Sequence, residues 1–176
     1  NVCNSTAVED ECGVCNGDGP SNNFTCDGIF QPTTKTILQN AVNLWISNNS
    51  SALSSYSDIN TWDVSLITNM SGLFQQKSTF NDHIGNWNVS NVERMDGMFR
   101  DASSFNQDIN NWDVSEVGNM EAMFRDASSF NQDLNNWTLS NINKMDAMFQ
   151  GATSFNGDIT SWDVSTAYNM WTMFHS

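Results

Sequence analysis

Ile109-Asn110-Asn111-Trp112-Asp113-Val114-Ser115-Glu116-Val117-Gly118-Asn119-Met120-Glu121-Ala122-Met123-Phe124-Arg125-Asp126-Ala127-Ser128-Ser129-Phe130-Asn131-Gln132-Asp133 decides the fold, because the chain repeats it. Trp62, Trp87, Trp112, Trp137 and Trp162 recur every 25 residues, and Met70, Met95, Met120, Met145 and Met170 follow the same period. So do Phe74, Phe99, Phe124, Phe149 and Phe174, with a second column at Phe80, Phe105, Phe130 and Phe155. One such unit is too small to bury its own Trp, Met and Phe, so neighbouring units must stack.

Within a unit, Ile59-x-x-Trp62-x-Val64-x-x-Ile67 follows the leucine-rich-repeat template with Leu replaced by Ile, Trp and Val. Trp62 and Val64 lie two apart, which places them on one face of a short strand. Met70, Leu73 and Phe74 stand at i, i+3 and i+4, the stripe of a short helix. The pattern therefore predicts an α/β solenoid of right-handed coils, each a short parallel strand plus a short helix. Ahead of it, Pro32-Thr33-Thr34 precedes Ile37, Leu38, Ala41, Leu44, Trp45 and Ile46, an amphipathic helix with a threonine N-cap. The expected division is a cysteine-rich segment over 1–28, a helical cap over 29–52 and the repeats over 53–176.

Twenty Asp and Glu against six Lys and Arg give a formal net charge of −14. That balance disfavours wrapping by nucleic acid and adsorption to an anionic membrane. No apolar run reaches the roughly 18 residues of a membrane span. The chain opens on Asn1, which reads as a processed chain whose signal peptide has been removed. Cys3, Cys12, Cys15 and Cys26 crowd the first 26 residues, an even set that suggests two disulfides in an oxidising compartment, with three connectivities open. The rival is zinc at Cys12-x-x-Cys15, for which no second knuckle follows.

The string Trp112-Asp113-Val114-Ser115, with Asn119-Met120 and Met123-Phe124 and then Ser129-Phe130-Asn131-Gln132-Asp133-Leu134, resembles the 25-residue repeat of BspA-like surface proteins. The likeness covers about residues 55–176. Glu11-Cys12-Gly13-Val14-Cys15-Asn16-Gly17-Asp18-Gly19 resembles a cysteine-rich motif of secreted multidomain proteins. These resemblances imply a cell-surface or extracellular location, a leucine-rich-type solenoid and a role in adhesion, with no catalysis.

The residues themselves point the same way. His83 and His175 belong to no motif, and Asp113-x-Ser115 has no base beside it, so no enzyme is expected. Asp63, Asn88, Asp113, Thr138 and Asp163, flanked by Ser65, Ser90, Ser115, Ser140 and Ser165, form an outward polar ladder suited to a ligand or to solvent. Asp108, Asp133 and Asp158 stack one per coil and are calcium candidates, since like charges at this spacing repel unless screened or bridged; the alternative is that they orient backbone N–H groups in the turn. No other cofactor is expected. Asn106, Asn131 and Asn156 are candidates for an inward amide ladder.

Asn4, Asn23, Asn48, Asn49, Asn69, Asn88 and Asn136 each open an N-x-[ST] sequon, and N-linked glycan is the corresponding modification. The sequence stops midway through the fifth unit on Trp162, Met170, Trp171, Met173 and Phe174, with no polar cap. The leading expectation is therefore head-to-tail self-assembly into an extracellular filament through those residues. The alternative is an adhesin that takes a host or matrix protein, or a glycan, on the polar face.

Overall fold

The computed structural model describes residues 10–14, 19 and 21–175. Helix α1 (Lys35–Ser47) starts where Thr34 accepts the Ile37 N–H, and it buries Leu38, Ala41, Val42 and Trp45. Asn48 closes α1 and opens α2 (Asn49–Tyr56), its side chain accepting the Ser51 N–H. The boundary expected at 52/53 thus falls inside α2. A 3₁₀ turn at Ile59–Thr61 leads into the first winding.

From there the chain makes stacked windings in register at 25 residues. Phe74, Phe99, Phe124, Phe149 and Phe174 stack ring on ring at 5.4–5.5 Å between centroids, with planes within 5° of parallel. Phe80, Phe105, Phe130 and Phe155 form a second column at 5.9 Å. The two columns pack against each other at about 4 Å, as at Phe99–Phe105 (3.9 Å) and Phe124–Phe130 (4.0 Å). The tryptophans of the 25-residue column complete the core, and the four from Trp87 to Trp162 satisfy their one polar atom in the preceding winding. Trp87 Nε1–H donates to the Ile59 carbonyl, Trp112 to Ile84, Trp137 to Ile109 and Trp162 to Leu134. That bond couples burial to register, because a slip of one residue orphans the indole.

The expected α/β solenoid of strand plus helix does not form. Among the described residues there are no β-strands. The β-pairing between windings is limited to isolated parallel bridges, Asn69–Arg94, Arg94–Asn119, Asn119–Lys144 and Lys144–Asn169. Two local effects prevent a strand. The Asp63 side chain accepts the Ser65 N–H, and the Ile67 N–H turns back to the Val64 carbonyl, so the chain bends directly after Trp62-x-Val64.

The Met-x-x-Met-Phe segment is not a helix either. Its N–H groups point along the stack rather than four residues back. Met95, Gly97, Phe99 and Asp101 donate to the carbonyls of Asn119, Glu121, Met123 and Arg125 of the next winding at 2.8–2.9 Å. Two left-handed residues four apart in each winding allow this: Gly97 has φ +60° and Asp101 φ +60°, repeated at Ala122 (+53°) and Asp126 (+58°). The i, i+3, i+4 stripe survives because Met120 and Met123 close an i→i−3 turn that still directs Met and Phe inward.

The aligned peptide units give the stack a polarity. Every carbonyl in these rows faces the amino-terminal end and every N–H the carboxy-terminal end, the opposite sense to the peptide units of an α-helix. Helix α1 meets the first exposed carbonyl row. The Lys35 ammonium donates to the Ser71 carbonyl, and the Gln39 amide donates to Leu73 at 2.9 Å. Trp45 seals the contact, with its ring edge-on to Trp62 at 5.9 Å and its N–H on Asp82 at 2.9 Å.

The register of Gly72 and Gly97 is held by Ala122 and Ala147 in the next two windings, at φ +53° and +52°. A Cβ there costs about 1 kcal/mol. Ala122→Gly and Ala147→Gly should therefore each raise stability by about 0.5–1 kcal/mol, and Gly97→Ala should lower it by a similar amount. Thermal unfolding of the three variants checks this.

At the amino-terminal end Cys12 and Cys26 are disulfide-bonded, with Cα atoms 5.3 Å apart, so Cys12 is not a zinc ligand with Cys15. Cys3 and Cys15 lie outside the described residues. Phe24 ties the segment to the windings through Phe30, edge-on at 5.6 Å.

Candidate functional site

The outward polar ladder is committed to the turns. Asp63, Asn88, Asp113 and Asp163 each accept the backbone N–H two residues on, at 2.9–3.2 Å. The Ser115 hydroxyl donates to Asp113 at 2.7 Å, so it is a turn hydroxyl. These bonds hold the carboxylates below the ordinary range. At Asp113 and Asp163 the serine hydroxyl is the leading cause and the serine N–H adds to it. At Asp63 burial pushes upward and is outweighed by Ser65 and Gln31. Asp10 is lowered chiefly by the Val14 N–H, with Gly19 and Cys12 adding to it against a smaller opposing effect of burial.

A lowered folded-state pKa contributes stability above the unfolded value of about 4 that is lost as pH falls through the folded one. Denaturant midpoints should accordingly drop on acidification below about pH 4. Asn88 fills the same register without a charge. Asp113→Asn should therefore be nearly neutral at pH 7 and should diminish the acid loss, as read from urea curves at both pH values.

The calcium candidates are likewise occupied. Asp108 accepts the Asn110 N–H, Asp158 accepts the N–H and hydroxyl of Thr160, and Asp133 accepts the Asp158 N–H at 2.8 Å. Among the described residues no group of three His, Cys, Asp or Glu could hold a metal ion. The amide ladder exists but lies at the surface: Asn81, Asn106 and Asn131 accept the N–H of Asn106, Asn131 and Asn156.

Of the sequon asparagines, Asn88, Asn136, Asn48 and Asn49 are exposed, while Asn23 and Asn69 are half-buried. Asn4 lies outside the described residues. Of the proposed contact residues, Trp171 (79% exposed), Phe174 (57%) and Met170 (37%) face solvent beside Tyr168 (69%), while Met173 is buried and Trp162 half-buried. Met170, Thr172 and Phe174, which continue the N–H rows, have no acceptor among the described residues.

A second face adjoins the ladder and shares Ser65, Ser90, Asp113 and Ser115 with it. Between the Val64-type turn and the bridges, each winding exposes two side chains around a buried aliphatic one. Ile67, Val92, Val117 and Ile142 point inward. On one side of them run Leu66, Asn91, Glu116, Asn141 and Thr166, and on the other Thr68, Glu93, Gly118, Asn143 and Tyr168. Three adjoining shallow depressions all reach Glu93, one pair of them shares Glu116 and another pair shares Gly118 and Asn143, so that they run together as one trough along the stack. Its floor is the ladder Glu93→Thr68, Gly118→Glu93, Asn143→Gly118 and Tyr168→Asn143, N–H to carbonyl at 2.8–3.1 Å.

The second of these columns, Thr68, Glu93, Gly118, Asn143 and Tyr168, is the one at which all five windings differ; the first, with four residue types, varies as much as the Ser71 and Gln76 columns elsewhere. The signal was in the sequence, as variation between copies, and attention to what repeats passes over it.

Fold and face together define a repeat protein of stacked turn-built windings with a helical cap and a side-chain trough. The chain belongs to the family described as "Mycoplasma protein of unknown function, DUF285", which matches residues 40–153 and again 132–176. That membership is consistent with the resemblance to surface-protein repeats. No curated protein and no solved structure matches the chain. Among the described residues no helix is long and apolar enough to cross a membrane.

Proposed function

We propose that the chain is a non-enzymatic binding module of a surface or secreted protein, which holds a macromolecular partner along the trough. One observation carries this reading. The windings are alike wherever stacking demands a residue type, and the one column at which all five differ, Thr68, Glu93, Gly118, Asn143 and Tyr168, runs along the trough. Repeat arrays bind through such extended faces because the scaffold fixes the spacing and leaves the side chains free. The test is retention on immobilised matrix proteins and surface glycans. Asn91→Ala with Asn141→Ala and Asn143→Ala should abolish retention, while Asn111→Ala, on another exposed face, should not. Equal retention by both variants would refute the reading.

Filament assembly is the second reading, favoured by the exposed Tyr168, Trp171 and Phe174. Its geometry is less favourable, because in a second copy the matching carbonyl row is already met by Lys35 and Gln39. The outer face of α1 offers Thr36, Asn40, Asn43 and Ser47, with no apolar complement. Sedimentation coefficients that grow with concentration would support filaments, and a constant monomer value would remove them.

A further inference from the structure

We infer that the partner held in the trough is an extended polypeptide segment bearing lysine or arginine, engaged by Glu93 and Glu116; this rests on the trough being the binding face. The first ground is shape. The windings succeed one another at the ring spacing of 5.4–5.9 Å, so the trough is straight and shallow and suits an extended chain. Gly118 stands between Glu93 and Asn143 with no side chain, and it keeps the floor open midway. A Cβ there would approach the Asn143 amide nitrogen at 3.4 Å.

The second ground is hydrogen-bond polarity. The trough's amides spend N–H groups internally. Asn91 donates to the Ser65 carbonyl at 2.9 Å, Asn141 to Glu116 Oε2 at 3.3 Å and Asn143 to the Asn141 carbonyl at 3.0 Å. Each amide keeps its oxygen and one further N–H, so the groups that accept without donating are the Glu93 carboxylate and the second oxygen of Glu116. Ammonium and guanidinium groups suit these two carboxylates, because they supply donors without competing acceptors.

The third ground is charge. Glu93 and Glu116 stand exposed on adjacent windings of a chain with formal net charge −14. The neighbouring cation Arg94 is engaged by Asp96 at 3.0 Å, which leaves Lys144 as the cation at the other end of the trough.

The experiment uses the whole chain at physiological salt with three labelled probes: a dodecapeptide alternating lysine and glycine, its glutamate counterpart, and a neutral chitin oligosaccharide. Fluorescence anisotropy should show binding of the lysine peptide alone. Glu93→Gln with Glu116→Gln should weaken it by about tenfold or more, from the loss of two charge-assisted contacts. The charge-matched control, Glu11→Gln with Asp27→Asn in the amino-terminal segment, should weaken it less than about twofold, as general screening of long-range attraction predicts. Equal weakening in both variants would reduce the effect to net charge and overturn the inference. Binding of the oligosaccharide instead, sensitive to Asn91→Ala and Asn141→Ala, would overturn the cationic partner and leave the trough reading standing. If no probe binds, and the asparagine variants leave retention on matrix material unchanged, both fall.

Discussion

Trp112→Ala is expected to destabilise the chain by about 3–5 kcal/mol and to break the array in its middle. Trp112 is only 2% exposed, and its ring faces Phe99 at 6.3 Å between centroids. Removing the ring leaves a cavity that parallel aromatic columns cannot collapse to fill, because each ring is already held by rings above and below. It also removes the indole N–H from the Ile84 carbonyl, which keeps the Trp87 N–H at 3.1 Å, so this lost bond adds only about 1 kcal/mol. Trp112→Phe separates the two effects, since it keeps most of the volume and loses only the N–H. Trp162→Ala should cost clearly less, because the fifth tryptophan is only half-buried. Equilibrium urea unfolding reads all three. In a stack where each winding touches only its neighbours, the central variant should also broaden the transition as the two halves uncouple.

The second large effect lies at the cap. Trp45→Ala should cost about 3–5 kcal/mol as a buried aromatic truncation, and it should release α1 from the first winding. Trp45 is 5% exposed, meets Trp62 edge-on, and donates to Asp82 across 37 residues of sequence. With α1 displaced, the Ser71 and Leu73 carbonyls lose Lys35 and Gln39 and turn to water. The effect should be graded along the chain. Hydrogen exchange is expected to quicken most in the winding that contains Met70 and Phe74, and least in the one that contains Met145 and Phe149. Uniform quickening throughout would mean that the windings unfold as one unit and that the cap has no local role.

How far the sequence discloses this architecture depends on which physical constraint is asked for. The period, the inward Trp, Met and Phe columns and the helix at Lys35–Ser47 were legible because apolar side chains in fixed register can only be hidden by stacking. The backbone between them was not. Trp62-x-Val64 satisfies the alternation of a strand, and Met120-x-x-Met123-Phe124 satisfies the spacing of a helix. A ribbon of turns with two left-handed residues in each winding meets both patterns equally well. Gly72 and Gly97 at one register, and Asp or Asn two residues before serine at another, were the local signs of turns. Ala122 and Ala147 at the glycine register obscured the first of these signs, because alanine disfavours the left-handed region.

The site was legible only in inverse. The tidy ladder of Asp63, Asp113 and Asp163 looked like a surface for ligands, and its regularity is what bonding the turns requires. Glu93, Glu116 and Tyr168 share no pattern with their counterparts in other windings, which is the mark of positions that stacking leaves free.

The central claim is that the Met-x-x-Met-Phe segment of each winding hands alternate backbone N–H groups to the next. Couplings measured by NMR across hydrogen bonds test it most directly. The Phe99 amide should couple to the Met123 carbonyl carbon and the Phe124 amide to that of Met148, reporting the 2.8 and 2.9 Å bonds between windings. Coupling of the Phe99 amide to the carbonyl of Met95, four residues back in a helix, would contradict the account.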